Sequence, residues 1–438
     1  MRNSHKAWRA AAVAAWCCLS FGPLRQAAAQ SPEAPPGERV ASLIRDLGAS
    51  GYGERQRASE ELARMGAVTR LQLERALESP DAEIRLHALA LLHRLKIAEL
   101  WAPTLVDCRA EGEPASRTLL DLAERSGNRV LMGDQYGAFH EAAVTLDFQQ
   151  QPFWHVVDEL CRQSGNQLRQ QQDARAGGLV FVEGQAGQNP LAYAGPVRAR
   201  IDTARRQYIE EFNYDSGRSE ITHNFQINLQ AMWEDRFRLV AYRSQPEVLE
   251  AITEDGQRLE AAPQSSTWNV AGVGTRQVPM CLRLDPPPTS VARLAILRLR
   301  WGLMAVGDMQ TLDVVDLAST QPCLQDDVEL IVESVLEKGG GRYEVTVVVN
   351  RDLVVPQPQE VLFQENAIDL FDAEGRPFHR QSQTNSLTPR GARLRLNYSG
   401  ESADSKPHLL RLTYPRLRAQ HDLEIVFRDV PLPVGRPE

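Results

Sequence analysis

The hydrophobic positions divide the chain into stretches of different period. Between Val40 and Leu95 apolar residues recur three and four apart, as Val40, Leu43, Ile44 and Leu47, then Ala58, Leu62 and Met65, then Leu73 and Leu77, then Ile84, Ala88, Leu91, Leu92 and Leu95. Each set occupies one face of a helix. Gly48, Gly66 and Ser79-Pro80-Asp81 separate the sets, because glycine ends helices while proline and acids suit the positive start of the next. The spacing predicts four amphipathic helices arranged as antiparallel pairs.

A second stretch repeats itself. Leu119, Leu122 and Ala123 precede Ser126-Gly127-Asn128 and then Val130; thirty-eight positions later Val157, Leu160 and Cys161 precede Ser164-Gly165-Asn166 and then Leu168. Each copy reads as a helix ended by a glycine at a left-handed cap and followed by a strand. Between the copies, Val144-Thr145-Leu146-Asp147-Phe148 alternates as a half-buried strand does.

From about Val197 onward, strands of alternating polarity dominate, with turn signals at Asp255-Gly256 and Gly339-Gly340-Gly341. A longer repeat runs through this region. Leu297, Leu299 and Trp301 match Leu410, Leu412 and Tyr414, and Val314 and Asp316 match Phe427 and Asp429, all 113 positions apart. Phe225, Ile227 and Leu229 match Tyr343, Val345 and Val347 at an offset of 118, and Glu254-Asp255-Gly256 matches Ala373-Glu374-Gly375 at 119. Two related units built of short strands fit tandem immunoglobulin-like sandwiches; one large sandwich or barrel is the alternative.

Two resemblances extend this reading. Arg55, Ala58 and Leu62, a glycine turn, and Ser79 to Ala88 resemble HEAT-like repeats over about residues 38–100, which implies a scaffold for protein contacts. Residues 116–185, through the run VTLDFQQQPFWHVVDELCRQSGN, resemble the short N-terminal domain of secretins and TonB-dependent transducers, an interaction module of the cell envelope. The expected fold class is therefore multidomain α + β: HEAT-like helical hairpins, a small α/β module, and two tandem immunoglobulin-like β-sandwiches. The expected boundaries are a signal peptide over 1–29, a linker over 30–37, the helical segment 38–103, the α/β module 104–190, and sandwiches over 191–322 and 323–438.

The signal peptide rests on Arg2, Lys6 and Arg9, an apolar core from Ala10 to Leu19, and Ala27-Ala28-Ala29 before a cleavage point at Gln30. Trp16 before Cys17 does not suit a lipoprotein site. No later segment reaches the roughly 18 apolar residues of a membrane helix. The formal charge is -8, and loss of a leader with four basic residues and no acid makes the mature chain more acidic, which disfavours a nucleic-acid partner. The expected address is periplasmic or secreted.

Composition and motifs supply little chemistry. Cys108, Cys161, Cys281 and Cys323 form no CxxC pair and no zinc spacing, and leave disulfide pairing open. His87, His93, His140, His155, His223, His379, His408 and His421 make no HExxH motif, and no serine sits in a GxSxG elbow. Gly272-Val273-Gly274 lacks the third glycine of a nucleotide loop. Glu254-Asp255 and Asp326-Asp327 do not continue into a calcium loop, and the first reads as hairpin chemistry. Trp233, Trp268 and Trp301 offer rings for a sugar, although Trp301 continues the inward alternation of Leu297 and Leu299.

No catalytic, cofactor or metal residue is therefore assigned. The sequence is best read as an exported, non-catalytic scaffold that binds envelope or secreted proteins. A polysaccharide-binding protein or an unrecognised hydrolase is the alternative.

Overall fold

The computed structural model describes residues 36–132, 138–170, 179–184, 189–263, 265–271, 275–351 and 367–433. The expected leader and the Gly272-Val273-Gly274 loop lie outside these residues. The chain falls into two compact units, one ending at Leu92 and the other beginning at His93.

In the first unit, α1 (Pro36–Asp46) starts inside the stretch expected as linker, and is followed by α2 (Tyr52–Met65), a 3-10 turn over Gly66–Thr69, α3 (Arg70–Ala76) and α4 (Ala82–Trp101), whose last residues belong to the second unit. Most of the expected positions are buried, namely Val40, Leu43 and Leu47, Ala58 and Leu62, Leu73, and Ala88, Leu91, Leu92 and Leu95, whereas Met65 and Ile84 are half-buried and Leu77 is exposed. Asp81 accepts from the Glu83 N–H at 2.8 Å and opens α4.

The HEAT-like hairpins are not found. After Gly66 turns the chain at φ 66°, α3 has only 7 residues while α4 has 20, so these two cannot be matched arms of a repeat. Periodicity identifies a helical face, but it does not fix the length over which two helices pair. Strand is the dominant structure across the described residues.

The second unit opens with β1 (Leu105–Pro114), α5 (Ala115–Ser126), β2 (Val130–Leu131), β3 (Ala143–Pro152), α6 (Phe153–Ser164), β4 (Asn166–Gln170) and β5 (Leu179–Glu183). Strands β1 and β3 pair antiparallel, while β5 pairs with β2 in parallel and with β4 in antiparallel. The thirty-eight-residue repeat is thus two strand-helix-strand copies. Each helix starts after a proline, Pro114 or Pro152, and ends at a left-handed glycine, Gly127 or Gly165, both at φ 71°. Trp154, Phe153, Leu160 and Cys161 of α6 lie in one core with Leu119 and Leu122 of α5.

The strands that follow are β6 (Leu191–Ala194), β7 (Val197–Asn213), β8 (Arg218–Trp233), β9 (Arg238–Arg243), β10 (Glu247–Thr253), β11 (Trp268–Val270), β12 (Gln277–Leu284) and β13 (Arg293–Val314). Then come β14 (Cys323–Gln325), β15 (Val328–Gly339), β16 (Arg342–Arg351), β17 (Ala367–Phe371), β18 (His379–Thr388), β19 (Gly391–Ser399) and β20 (Leu409–Pro431). One sheet runs β12-β8-β7-β6 and another β14-β15-β16-β19-β18. The sheet between them, β11-β9-β13-β20-β17 with β10 on β13, serves both.

The longer repeat is therefore real, but its copies are not independent tandem sandwiches. Strands β13 and β20, equivalent by sequence, pair antiparallel from Arg293↔Pro431 to Val314↔Leu410. Ala305 is equivalent to Arg418 and Val306 to Ala419, yet the pairs formed are Ala305↔Ala419 and Val306↔Arg418, so a local two-fold axis passes between them. Each strand crosses it. Leu297, Leu299 and Trp301 of β13 lie with Leu423, Ile425 and Phe427 of β20 in the first core, and Leu312 lies with Leu410, Leu412 and Tyr414 in the second. An alternating pattern shows which way each side chain points but is silent on which sandwich a long strand continues into.

Two predictions follow from this shared sheet. A fragment covering 191–322 lacks β20 and with it Leu423, Ile425, Phe427 and Val430 of its core, each worth about 1.5–3 kcal/mol of burial. We expect it to be molten by amide exchange, and mixing it with 323–438 to restore protection.

The second concerns acid. Asp313 accepts both guanidinium bonds of Arg411 directly opposite, at 2.7 and 2.7 Å, and this hydrogen bonding holds its carboxyl below the usual range. A depressed carboxyl stabilises the fold above the unfolded pKa of about 3.9 and loses that contribution as pH falls through the folded value. With the two side chains 40% and 38% exposed, solvent screening limits the pair to under about 1 kcal/mol. Asp313→Asn should lower the urea midpoint slightly at pH 7, and the gap to the parent should close below about pH 3.

Candidate functional site

Strands β7 and β8 run beyond the sandwich as a two-stranded arm. Up to Phe225 the inward residues Ile227, Leu229 and Ala231 are buried, but from Tyr208 to His223 every residue is exposed on both faces. The register carries the inward face outward, with Tyr208↔His223, Glu210↔Ile221 and Phe212↔Ser219 following Arg206↔Phe225. The eight residues Arg206 to Asn213 extend about 25 Å at strand rise.

The arm is a shaped element. At its tip the Asn213 carboxamide oxygen accepts from the N–H groups of Asp215 and Ser216, both at 2.9 Å, and Gly217 turns at φ 64°. This holds Tyr214 out at 90% exposure, with Phe212 edge-on to it at 5.1 Å. Tyr208 sits edge-on to His223 at 5.1 Å. Tyr208, Ile209, Phe212, Tyr214 and Ile221 together place large apolar side chains in water on a polar ribbon, the composition of a contact surface.

Its charge is unbalanced as well. Glu211 and Glu220 are direct cross-strand neighbours, a like-charge pairing that destabilises a ribbon. Among the described residues, Glu210, Glu211, Asp215 and Glu220 form no ion pair. The arm combines an apolar strip with a second face on which Glu211 and Glu220 oppose each other and Arg218 stands two rungs nearer the tip.

The body that carries the arm is braced by buried charge. Arg198 of β7 donates to both oxygens of Asp158 on α6 at 2.7 and 2.6 Å, Tyr193 donates to the same carboxylate at 2.9 Å, and the Trp154 indole N–H donates to the Pro196 carbonyl at 3.0 Å. Glu234, fully buried after β8, accepts from the Thr104 N–H at 3.0 Å and from Arg236 at 2.9 Å. Asn128 accepts from the Asp235 N–H at 2.8 Å. The α/β segment is thereby fixed to the end of the β7–β8 pair opposite the arm.

The residues singled out by sequence are dispersed. His93, His155, His223, His379, His408 and His421 are exposed; His155 packs on Tyr193, His421 lies 5.1 Å from Trp101, and His140 faces Glu183 at 3.1 Å. His87 is 3.7 Å from Glu83 on its own helix. Cys108, Cys161, Cys281 and Cys323 are free. Burial pushes the Cys161 thiol up to about 12 and raises that of Cys108, so neither is a thiolate nucleophile at neutral pH.

Asp326 accepts from Tyr414 at 3.3 Å and faces Arg416 at 3.4 Å, while Asp327 pairs with Arg351 at 2.6 Å. Asp255 accepts from Thr253, and Gly256 turns at φ 87°, the hairpin chemistry expected. Trp233 and Trp301 are core residues, and Trp268 is half-buried under Arg243. Among the described residues no three or more His, Cys, Asp or Glu converge as metal ligands. No helix there is long and apolar enough to cross a membrane.

No family model matches the chain, and no curated protein or solved structure is similar to it.

Because the arm buries none of its own side chains, its substitutions should leave folding intact. Phe212→Ser with Ile221→Ser should shift stability by no more than about 0.5 kcal/mol, as for other exposed sites. Calorimetry giving an unchanged melting temperature together with lower binding of a hydrophobic dye would separate a contact role from a structural one.

Proposed function

We propose that this chain is an exported, non-catalytic interaction protein that grips a partner with the β7–β8 arm. The observation that carries the reading is the exposed strip of Tyr208, Phe212 and Ile221, with Tyr214 at the tip and Glu210, which forms no ion pair among the described residues, on the same face. The partner surface is apolar with basic groups at its edge, since such a surface covers the strip and neutralises the acids. Export is supported by the positive, apolar and small-residue succession of residues 1–29. The likeness of residues 116–185 to an envelope interaction module agrees with it.

Two measurements test the proposal. The secreted or periplasmic chain should begin at Gln30 on N-terminal sequencing. With a photo-crosslinking amino acid at position 214, the chain should form one discrete adduct in envelope extract. That adduct should be lost with Phe212→Ser and Ile221→Ser and weakened by salt, as expected for charge acting over a Debye length of about 8 Å. A retained Met1 overturns the export half. An absent adduct, or one that survives both substitutions, overturns the contact half.

A further inference from the structure

A cleft of about 550 Å³ opens on the first sandwich, away from the arm's exposed strip, where the β9–β10 corner, residues 261–263 and Ser266, and strands β12, β13 and β20 meet. That volume falls in the range of small-ligand sites. Its floor is open because of Gly302: a Cβ there would meet Arg243 Cγ at 2.8 Å and an Asp422 carboxylate oxygen at 3.2 Å. Arg243 uses this space to cross the sheet, with its guanidinium over Trp268 at 4.8 Å and donating to the Ser266 carbonyl at 3.1 Å.

The polar groups define what fits. Arg243, Arg283 and Arg300 line the cleft, and Arg300 has an acid, Glu247, at 3.2 Å. Among the described residues, Arg283 and Arg243 pair with no carboxylate, which leaves two planar guanidinium forks for an anion. Gln245 buries its side-chain oxygen with no hydrogen bond among the described residues, an acceptor that calls for a donor. Asp422 and Gln420 add further acceptors at the same wall. A ligand that meets all of these has one carboxylate for the arginines and several hydroxyl donors for the acceptors.

From this donor and acceptor pattern we infer that the cleft binds an acidic saccharide, a hexuronate unit of a polysaccharide. Its carboxylate lies against Arg283 and Arg243, and its hydroxyls donate to Gln245 and Asp422. Ring stacking has no part in it, because Trp233 and Trp301 are buried and Arg243 covers Trp268. The site is independent of the arm and of the reading built on it.

Isothermal titration of the full chain with a galacturonate tetrasaccharide, its neutral galactose counterpart and a tetraglutamate peptide tests the inference. The acidic sugar should saturate and bind at least roughly tenfold tighter than the other two, the scale of one charge-assisted hydrogen-bonded contact. Arg283→Ala should weaken it at least roughly tenfold with an unchanged melting temperature, since Arg283 is exposed. Gln245→Leu should weaken it too, and Tyr214→Ser should not. Equal affinity for neutral and acidic sugars, preference for the peptide, no saturable binding, or binding indifferent to Arg283 would each overturn it.

Discussion

The pairing of β13 with β20 is the constraint on which the strand-rich unit depends. Their antiparallel ladder runs the length of both strands, and each strand serves first one core and then the other. A hinge between the two sandwiches would have to break that ladder and expose buried groups such as Leu303 and Ala305. The cost would be a share of both cores and many backbone hydrogen bonds, far above what a flexible domain linkage requires. The two sandwiches are thus one rigid body, although their sequences read as a simple duplication.

The same rigidity reaches the α/β segment through different physics. Buried ion pairs are seldom net stabilising, because desolvation offsets their attraction. Asp158–Arg198 and Glu234–Arg236 are accompanied by bonds from Tyr193 and Thr104 that use the remaining carboxylate lone pairs. Satisfied in this way they fix orientation, since any other docking would leave a charge buried alone. Both acids meet the segment close to where β7 begins or β8 ends.

Much of this was legible in the sequence, and what escaped has physical reasons. The repeats about Ser126-Gly127-Asn128 and Ser164-Gly165-Asn166 were readable because a left-handed cap demands glycine, and the inward side of Leu297, Leu299 and Trp301 because a strand has period two. The helical pairing failed because an apolar stripe does not encode the length of its partner. Strand exchange was encoded only as a change of phase within one strand: Leu297, Leu299 and Trp301 are odd positions in the first core and Leu312 is an even position in the second. The arm was missed because Tyr208-Ile209 and Phe212 put apolar groups on both faces, which blurs alternation where the strand leaves the core. The cleft could not have been found at all: Arg243, Arg283, Arg300 and Asp422 are brought together only by strand order.

The base of the arm and the cleft are consequently features of one inflexible scaffold, and this limits how they can communicate. Strand β8 carries the arm and pairs with β12, whose Leu282 and Arg283 line the cleft. The route between them is thus a few rungs of a closed ladder with no hinge in it. Coupling between sites needs an element with two arrangements that both ligands bias, and a fully paired sheet over a filled core offers none. On the two proposed readings the surfaces act additively: occupancy of one leaves affinity at the other unchanged, and one scaffold holds two different partners. Such a device gains from rigidity, since a tether that does not bend loses little entropy when its second site engages. The shared sheet supplies that stiffness, which two sandwiches joined only by a linker would lack.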